Sequence, residues 1–308
     1  MTTNKGANRT FMITVIVYVI FSPFWGFVGS FLEMPFWLDI LLSQLTVFLP
    51  AFLYIKIAGM KVRELIPYQK IKIADVLLAV LMTYLFYPLM VVMNLITMFF
   101  VDNTTVQMTG SMQEQGILFN VLLIAVLPAC VEEFVFRGML YHTYKRNGLL
   151  RGILLSAFLF GCMHMNFNQF LYTFVFGIIL ALAVEATGSI LTSMICHFIL
   201  NLNSVLLVGV LSGKSGALNQ AVEGSSSLMD DPKMLLAGTI SWLVIAVFTT
   251  AGGLGIWICL AKRNGRLEYI REKIKEPSHG KIVTAALVIG VVIAFVLMIV
   301  LEILSKIG

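Results

Sequence analysis

Seven residues stand out because their types and spacing could do chemistry. They are Glu132, Glu133 and Arg137 in the run Val-Glu-Glu-Phe-Val-Phe-Arg-Gly, then Phe160 and His164, then His197 and Asn201. All lie in strongly apolar surroundings, where an ionisable group costs several kcal/mol by order of magnitude and therefore marks a functional site by default. A carboxylate, two imidazoles and a carboxamide held away from bulk water suit hydrolysis. A buried carboxylate is a stronger base than an exposed one and can take a proton from water. On this reading Glu132 is that base and His164 holds and polarises the water. His197 and Asn201 donate to the oxyanion that forms on a scissile carbonyl. No serine or threonine occupies a position that demands a nucleophile.

Helical spacing sorts these residues into pairs. Glu133 and Arg137 are four apart with the acid first, which favours an ion pair on one helix face. Glu132 points about 100° away from Glu133 and is free to meet a different neighbour. His197 and Asn201, also four apart, can present two polar groups to one point, and Phe160 lies one turn from His164. The simpler readings are a structural ion pair for Glu133 and Arg137 and hydrogen-bonded helix contacts for the histidines and Asn201. One glutamate and two histidines also match a three-ligand zinc site. Against zinc, there is no His-Glu-x-x-His run, and Asn201 beside His197 suits an oxyanion better than a metal shell. The expectation is no cofactor, with zinc the alternative.

The elements that must carry these residues are membrane helices. Of 308 residues, 59% are hydrophobic and only 12% charged, with a mean hydropathy of +0.94. A soluble domain carries roughly 25% charged residues, so an ordinary cytosolic enzyme is excluded. Nine apolar segments satisfy the ~20-residue criterion more or less well: 11–32, 36–58, 74–101, 116–141, 150–165, 167–184, 189–212, 234–260 and 282–304. The fifth and sixth are short and joined by Asn166-Phe167-Asn168. The fold expected is an all-α, polytopic bundle of eight or nine spans.

The net charge of +5 does not indicate nucleic acid, because the basic residues form no single stripe. They fall in four patches: Lys5 and Arg9; Lys61, Arg63, Lys70 and Lys72; Lys145, Arg146 and Arg151; and the seven between Lys262 and Lys281. Nine alternating spans put all four on one side, leaving Glu33, the loop Asp102–Gly116 and the loop Gly213–Lys233 on the other. The positive-inside rule then places the N-terminus in the cytoplasm and the C-terminus outside. Glu132 sits about 15 Å from the inner end of its span, His197 about 12 Å and His164 about 21 Å, at 1.5 Å per residue. One polar pocket opening toward the cytoplasm is geometrically possible. Glu185 reads as interfacial, and Gly224 to Ser227 as a flexible polar stretch. Arg263–Lys275 reads as a solvated helical loop in preference to an amphipathic helix on the inner leaflet. Cys130, Cys162, Cys196 and Cys259 show neither zinc-finger nor disulfide spacing.

Glu-Glu-x-x-x-Arg, Phe-x-x-x-His and His-x-x-x-Asn, in that order on successive apolar helices, resemble the CAAX-processing and bacteriocin-processing (CPBP) intramembrane protease family. This family includes the eukaryotic prenyl-protein endopeptidase and many bacterial membrane proteins. The resemblance covers about Leu118 to Asn203 and departs from none of the motif letters. It implies a bundle of about eight spans with a cavity open to the cytoplasm, and a glutamate-dependent endopeptidase in a cell membrane. Glu132 matches the catalytic glutamate, and His164 the histidine that helps to activate water. His197 and Asn201 match the oxyanion pair, and Glu133 and Arg137 the structural remainder of the first motif. The chain then divides into N-terminal membrane helices (1–115), a catalytic core (116–212) and a loop with C-terminal helices (213–308). The expected partners are the lipid bilayer and a membrane-associated peptide or protein substrate; no pattern specifies an oligomeric state. A bacterial host fits the short loops. A non-enzymatic scaffold or immunity protein of the same fold is the main alternative. A proton-coupled transporter ranks last, because neither inverted repeats nor paired broken helices are visible.

Overall fold

A computed structural model describes residues 3–32, 34–66, 68–101, 116–212 and 231–307. Glu33 and nearly all of the loops Asp102–Gly116 and Gly213–Lys233, with Gly224 to Ser227, lie outside the described residues. The protein is an all-α membrane bundle. Its helices are α1 (Asn4–Leu32), α2 (Phe36–Ile57), α3 (Ile73–Thr97), α4 (Ile117–Asn147), α5 (Leu149–Met163), α6 (Phe167–Thr187), α7 (Ile190–Ser212), α8 (Pro232–Arg263), α9 (Leu267–Lys275) and α10 (Ala285–Ile307). Eight of these are long and apolar enough to cross a bilayer. The segment read as 150–165 is the exception: α5 has 15 residues, about 22 Å of helix against a ~30 Å hydrocarbon layer.

Helix α6 is the central element, with 61% of its most apolar window buried against no more than 39% for any other span. Its small residues permit this. A Cβ at Gly177 would sit 2.9 Å from Ala157, so α5 and α6 approach as closely as backbones allow. Helices α3 and α8 pack along each other, and α1 packs on α10.

All four basic patches lie at one end of the bundle. Asn4 Nδ2 donates to Asn147 and to the Lys281 carbonyl, and Ser189 Oγ donates to the Gln69 carbonyl. Arg263 pairs with Asp75, and Lys145 with Glu185. Two local readings gain detail here and one changes. Glu185, near the basic end of α6, is buried within the protein, where Lys145 at 2.7 Å and Arg266 at 2.9 Å neutralise it. The segment Arg263–Lys275 is a largely exposed helical connection, as expected, in which α9 buries one side chain, Ile270, in a cluster with Tyr141, Leu149 and Leu260. The first span begins at Asn4 rather than Phe11. Its polar start is held by an amide network, in which Asn8 donates to the Ile282 carbonyl at 2.7 Å and accepts from Tyr144 at 2.6 Å.

Candidate functional site

The backbone of α4 is irregular where the chemistry lies. Wide, π-type turns run over Val121–Val126 and Phe134–Tyr141, flanking the regular stretch Leu127–Glu133. Pro128 gives a physical reason for the first. It has no N–H, so the Ile124 carbonyl loses the donor that a regular α-turn would bring. Asn201 on α7 supplies one, with Nδ2 donating to Ile124 O at 3.1 Å. Such turns recur at functional sites because they re-aim side chains within a helix.

Glu133 and Arg137 are fully buried and ion-paired at 3.0 Å. Arg137 Nη2 also donates to the Gly177 carbonyl at 3.2 Å, a reach that the close packing of α5 and α6 makes possible. The guanidinium lies 4.3 Å from the centre of the Phe160 ring, a cation–π contact out of water. Glu133 Oε1 takes a further hydrogen bond, from His197 Nδ1 at 3.0 Å. Glu133 is ion-paired with Arg137, and a carboxylate in an ion pair only accepts, so Nδ1 of His197 carries a proton. The ion pair therefore orients an imidazole as well as neutralising itself.

Glu132 points elsewhere, as its helical phase requires. Its Oε1 accepts from Gln44 Nε2 on α2 at 3.0 Å, and its Oε2 lies 3.9 Å from His197 Nε2, near but beyond hydrogen-bond range. The Glu132 side chain is 15% exposed where that of Glu133 is 0%, so the two adjacent acids occupy different environments.

His164 closes α5. Met165, next in the chain, has φ +49°, a left-handed conformation rare outside glycine, while its side chain is buried. Asn166 then caps α6 by accepting from Gln169 N at 3.1 Å. This sharp reversal sets the ring of His164 at the helix end. Its Nδ1 faces the Phe160 carbonyl at 2.9 Å, which can only accept, so Nδ1 is protonated and Nε2 is left as an acceptor in the neutral ring. The Phe160 ring meets both imidazoles edge-on, 5.0 Å from His164 and 5.8 Å from His197. His164 also lies within electrostatic reach of Glu132 and His197.

Thus the structure brings Glu132, His164 and His197 together around Phe160, with Glu133 and Arg137 beneath them. Asn201 sits one turn from His197, but its amide is engaged with Ile124 rather than held free beside the imidazole. Sequence reasoning missed Gln44, Gly177, and Phe176, which packs edge-on against His197 at 5.7 Å. Gln44 was detectable: it is a buried amide in an apolar run and meets the same test that singled out Asn201. Among the described residues, no three His, Cys, Asp or Glu side chains cluster closely enough to share a metal ion.

Residues 114–203, under a third of the chain, match the family model described as type II CAAX prenyl endopeptidase, Rce1-like. That segment contains all seven residues singled out in the sequence, so the chain is similar there to a membrane CAAX-type protease. No curated protein and no solved structure matches the chain.

Proposed function

We propose that this protein is an intramembrane endopeptidase that hydrolyses a peptide bond of a membrane-associated protein or peptide, without a cofactor. The reading is carried by one observation: a partly open carboxylate, Glu132, lies beside two imidazoles brought by separate helices, while the neighbouring acid is neutralised by Arg137. In the reaction, Glu132 takes one proton from water as the water oxygen bonds to the scissile carbonyl carbon. His164 Nε2 accepts the second water hydrogen and fixes the lone pair. The carbonyl oxygen becomes an oxyanion stabilised by His197 and by the remaining amide hydrogen of Asn201. The carbon–nitrogen bond then breaks, and Glu132 returns its proton to the leaving amine.

His197 must carry both ring protons to serve the oxyanion, because its Nδ1–H is committed to Glu133. The basic end of the bundle faces the cytoplasm of a cell membrane, and the site opens toward it. The core 116–212 carries the chemistry, and the flanking helices select the substrate.

The test is a comparison of newly formed C-termini among membrane proteins from cells making the wild type or Glu132→Ala. Termini present only with the wild type support the reading. Identical sets, with both proteins inserted equally, overturn it in favour of a non-enzymatic scaffold.

A further inference from the structure

Gln44 is a buried amide on a helix outside the matched segment, and its two ends are treated differently. Its Nε2 donates to Glu132 Oε1 at 3.0 Å, whereas its Oε1 is buried with no hydrogen-bond partner among the described residues. The assignment of the two ends follows from chemistry, since an ionised carboxylate accepts only and must face the NH2 group. An unpaired carbonyl oxygen in an apolar layer lowers stability. A leucine or methionine would pack at this position without that penalty. An amide kept at this cost at one end, with its other end spent on Glu132, points to a role in the chemistry.

We infer that Gln44 is a positioning residue for the general base, an inference that rests on the function proposed above. By clamping Oε1 it fixes the rotation of the Glu132 carboxylate and leaves Oε2, the oxygen nearest His197, to take the proton from water. It also stabilises the charged form of the base through a charge-assisted hydrogen bond. The other groups acting on Glu132 are Arg137 on its own helix, His197 on α7, His164 at the end of α5 and Tyr172 on α6, with Glu133 adjacent in the chain. Among these contacts, Gln44 supplies the neutral donor within hydrogen-bond distance.

The experiment needs no substrate. The purified full chain in lipid nanodiscs is titrated by difference infrared spectroscopy, with the carboxyl C=O band of Glu132 assigned by its loss in Glu132→Gln. In Gln44→Met the band should persist to a pH about one unit higher than in the wild type, about 1.4 kcal/mol at 1.36 kcal/mol per unit. In Gln44→Glu, which sets a second carboxylate against the first, it should persist higher still. The thermal midpoint of Gln44→Met should equal or exceed that of the wild type. An unchanged titration in Gln44→Met overturns the inference, as does a fall in thermal midpoint without a titration shift, which would mark a purely structural role. Cleavage separates this from the underlying reading. If Glu132→Gln still cleaves, the proposed function fails whatever Gln44 does. If Glu132→Gln is inactive and Gln44→Met cleaves at the wild-type rate, only the inference about Gln44 fails.

Discussion

Arg137→Met tests the foundation beneath the site. The substitution removes a guanidinium that is fully buried and pairs with a fully buried Glu133 at 3.0 Å. It leaves a carboxylate without its counter-charge, which in a buried pair destabilises by about 3–5 kcal/mol. The contact with Phe160 at 4.3 Å adds about 2 kcal/mol. The Gly177 carbonyl loses its side-chain donor, at about 1–3 kcal/mol if no other donor reaches it. These losses share atoms and are not additive. A net destabilisation of about 4–6 kcal/mol is expected, with a thermal midpoint lower by roughly 10–20 °C. The double variant Glu133→Met/Arg137→Met removes both charges and fills similar volume, so it should recover at least half of the lost stability. It should not recover cleavage, because His197 Nδ1 has lost the acceptor that orients the ring. The assay is thermal unfolding of the four proteins of the cycle in one detergent, with cleavage measured on each. Independent effects of the two single substitutions, or an active double variant, would refute the argument that this pair both neutralises itself and aims His197.

Other expectations follow from the same geometry. Asn201→Leu should lose about 1–3 kcal/mol because the Ile124 carbonyl loses its donor; Pro128→Ala in that background should restore stability but not cleavage, as read by thermal midpoint and fragment yield. Met165→Ala should be less stable than Met165→Gly by about 1 kcal/mol, the reverse of the usual order, because φ at this position is +49°. Gly177→Ala should destabilise by about 1–3 kcal/mol and lower cleavage, since its Cβ would press on Ala157 at 2.9 Å and Arg137 Nη2 at 3.2 Å. A cysteine at Ser278, at the basic end, should react with an impermeant maleimide only in inverted vesicles; labelling in intact cells would reverse the topology.

Much of the bundle was legible because a bilayer imposes a strong rule: length and hydropathy alone define a span. The rule misplaced ends where polar residues are paired. The first span read as beginning at Phe11, yet Asn8 is buried with hydrogen bonds to the Ile282 carbonyl and to Tyr144. Nor does hydropathy reveal that Glu185 is paired with both Lys145 and Arg266. At the site, the four-residue spacing of Glu133 and Arg137 gave their pairing, since the two share one helix face. The partners of Glu132 depend on which helices meet, which no local spacing encodes. So Gln44, 88 positions earlier in the chain, went unseen. The π-type turns around Pro128 were equally hidden, because a missing N–H says that a helix must adapt but not that Asn201 will complete it.

The central claim is that Glu132 acts as the base in hydrolysis. It is tested most directly by purified wild type and Glu132→Gln in nanodiscs, acting on a membrane peptide whose new C-terminus distinguishes the two in cells. The account predicts cleavage slower by about 10²–10⁴-fold in Glu132→Gln with an unchanged thermal midpoint. Cleavage at the wild-type rate by folded Glu132→Gln would contradict it.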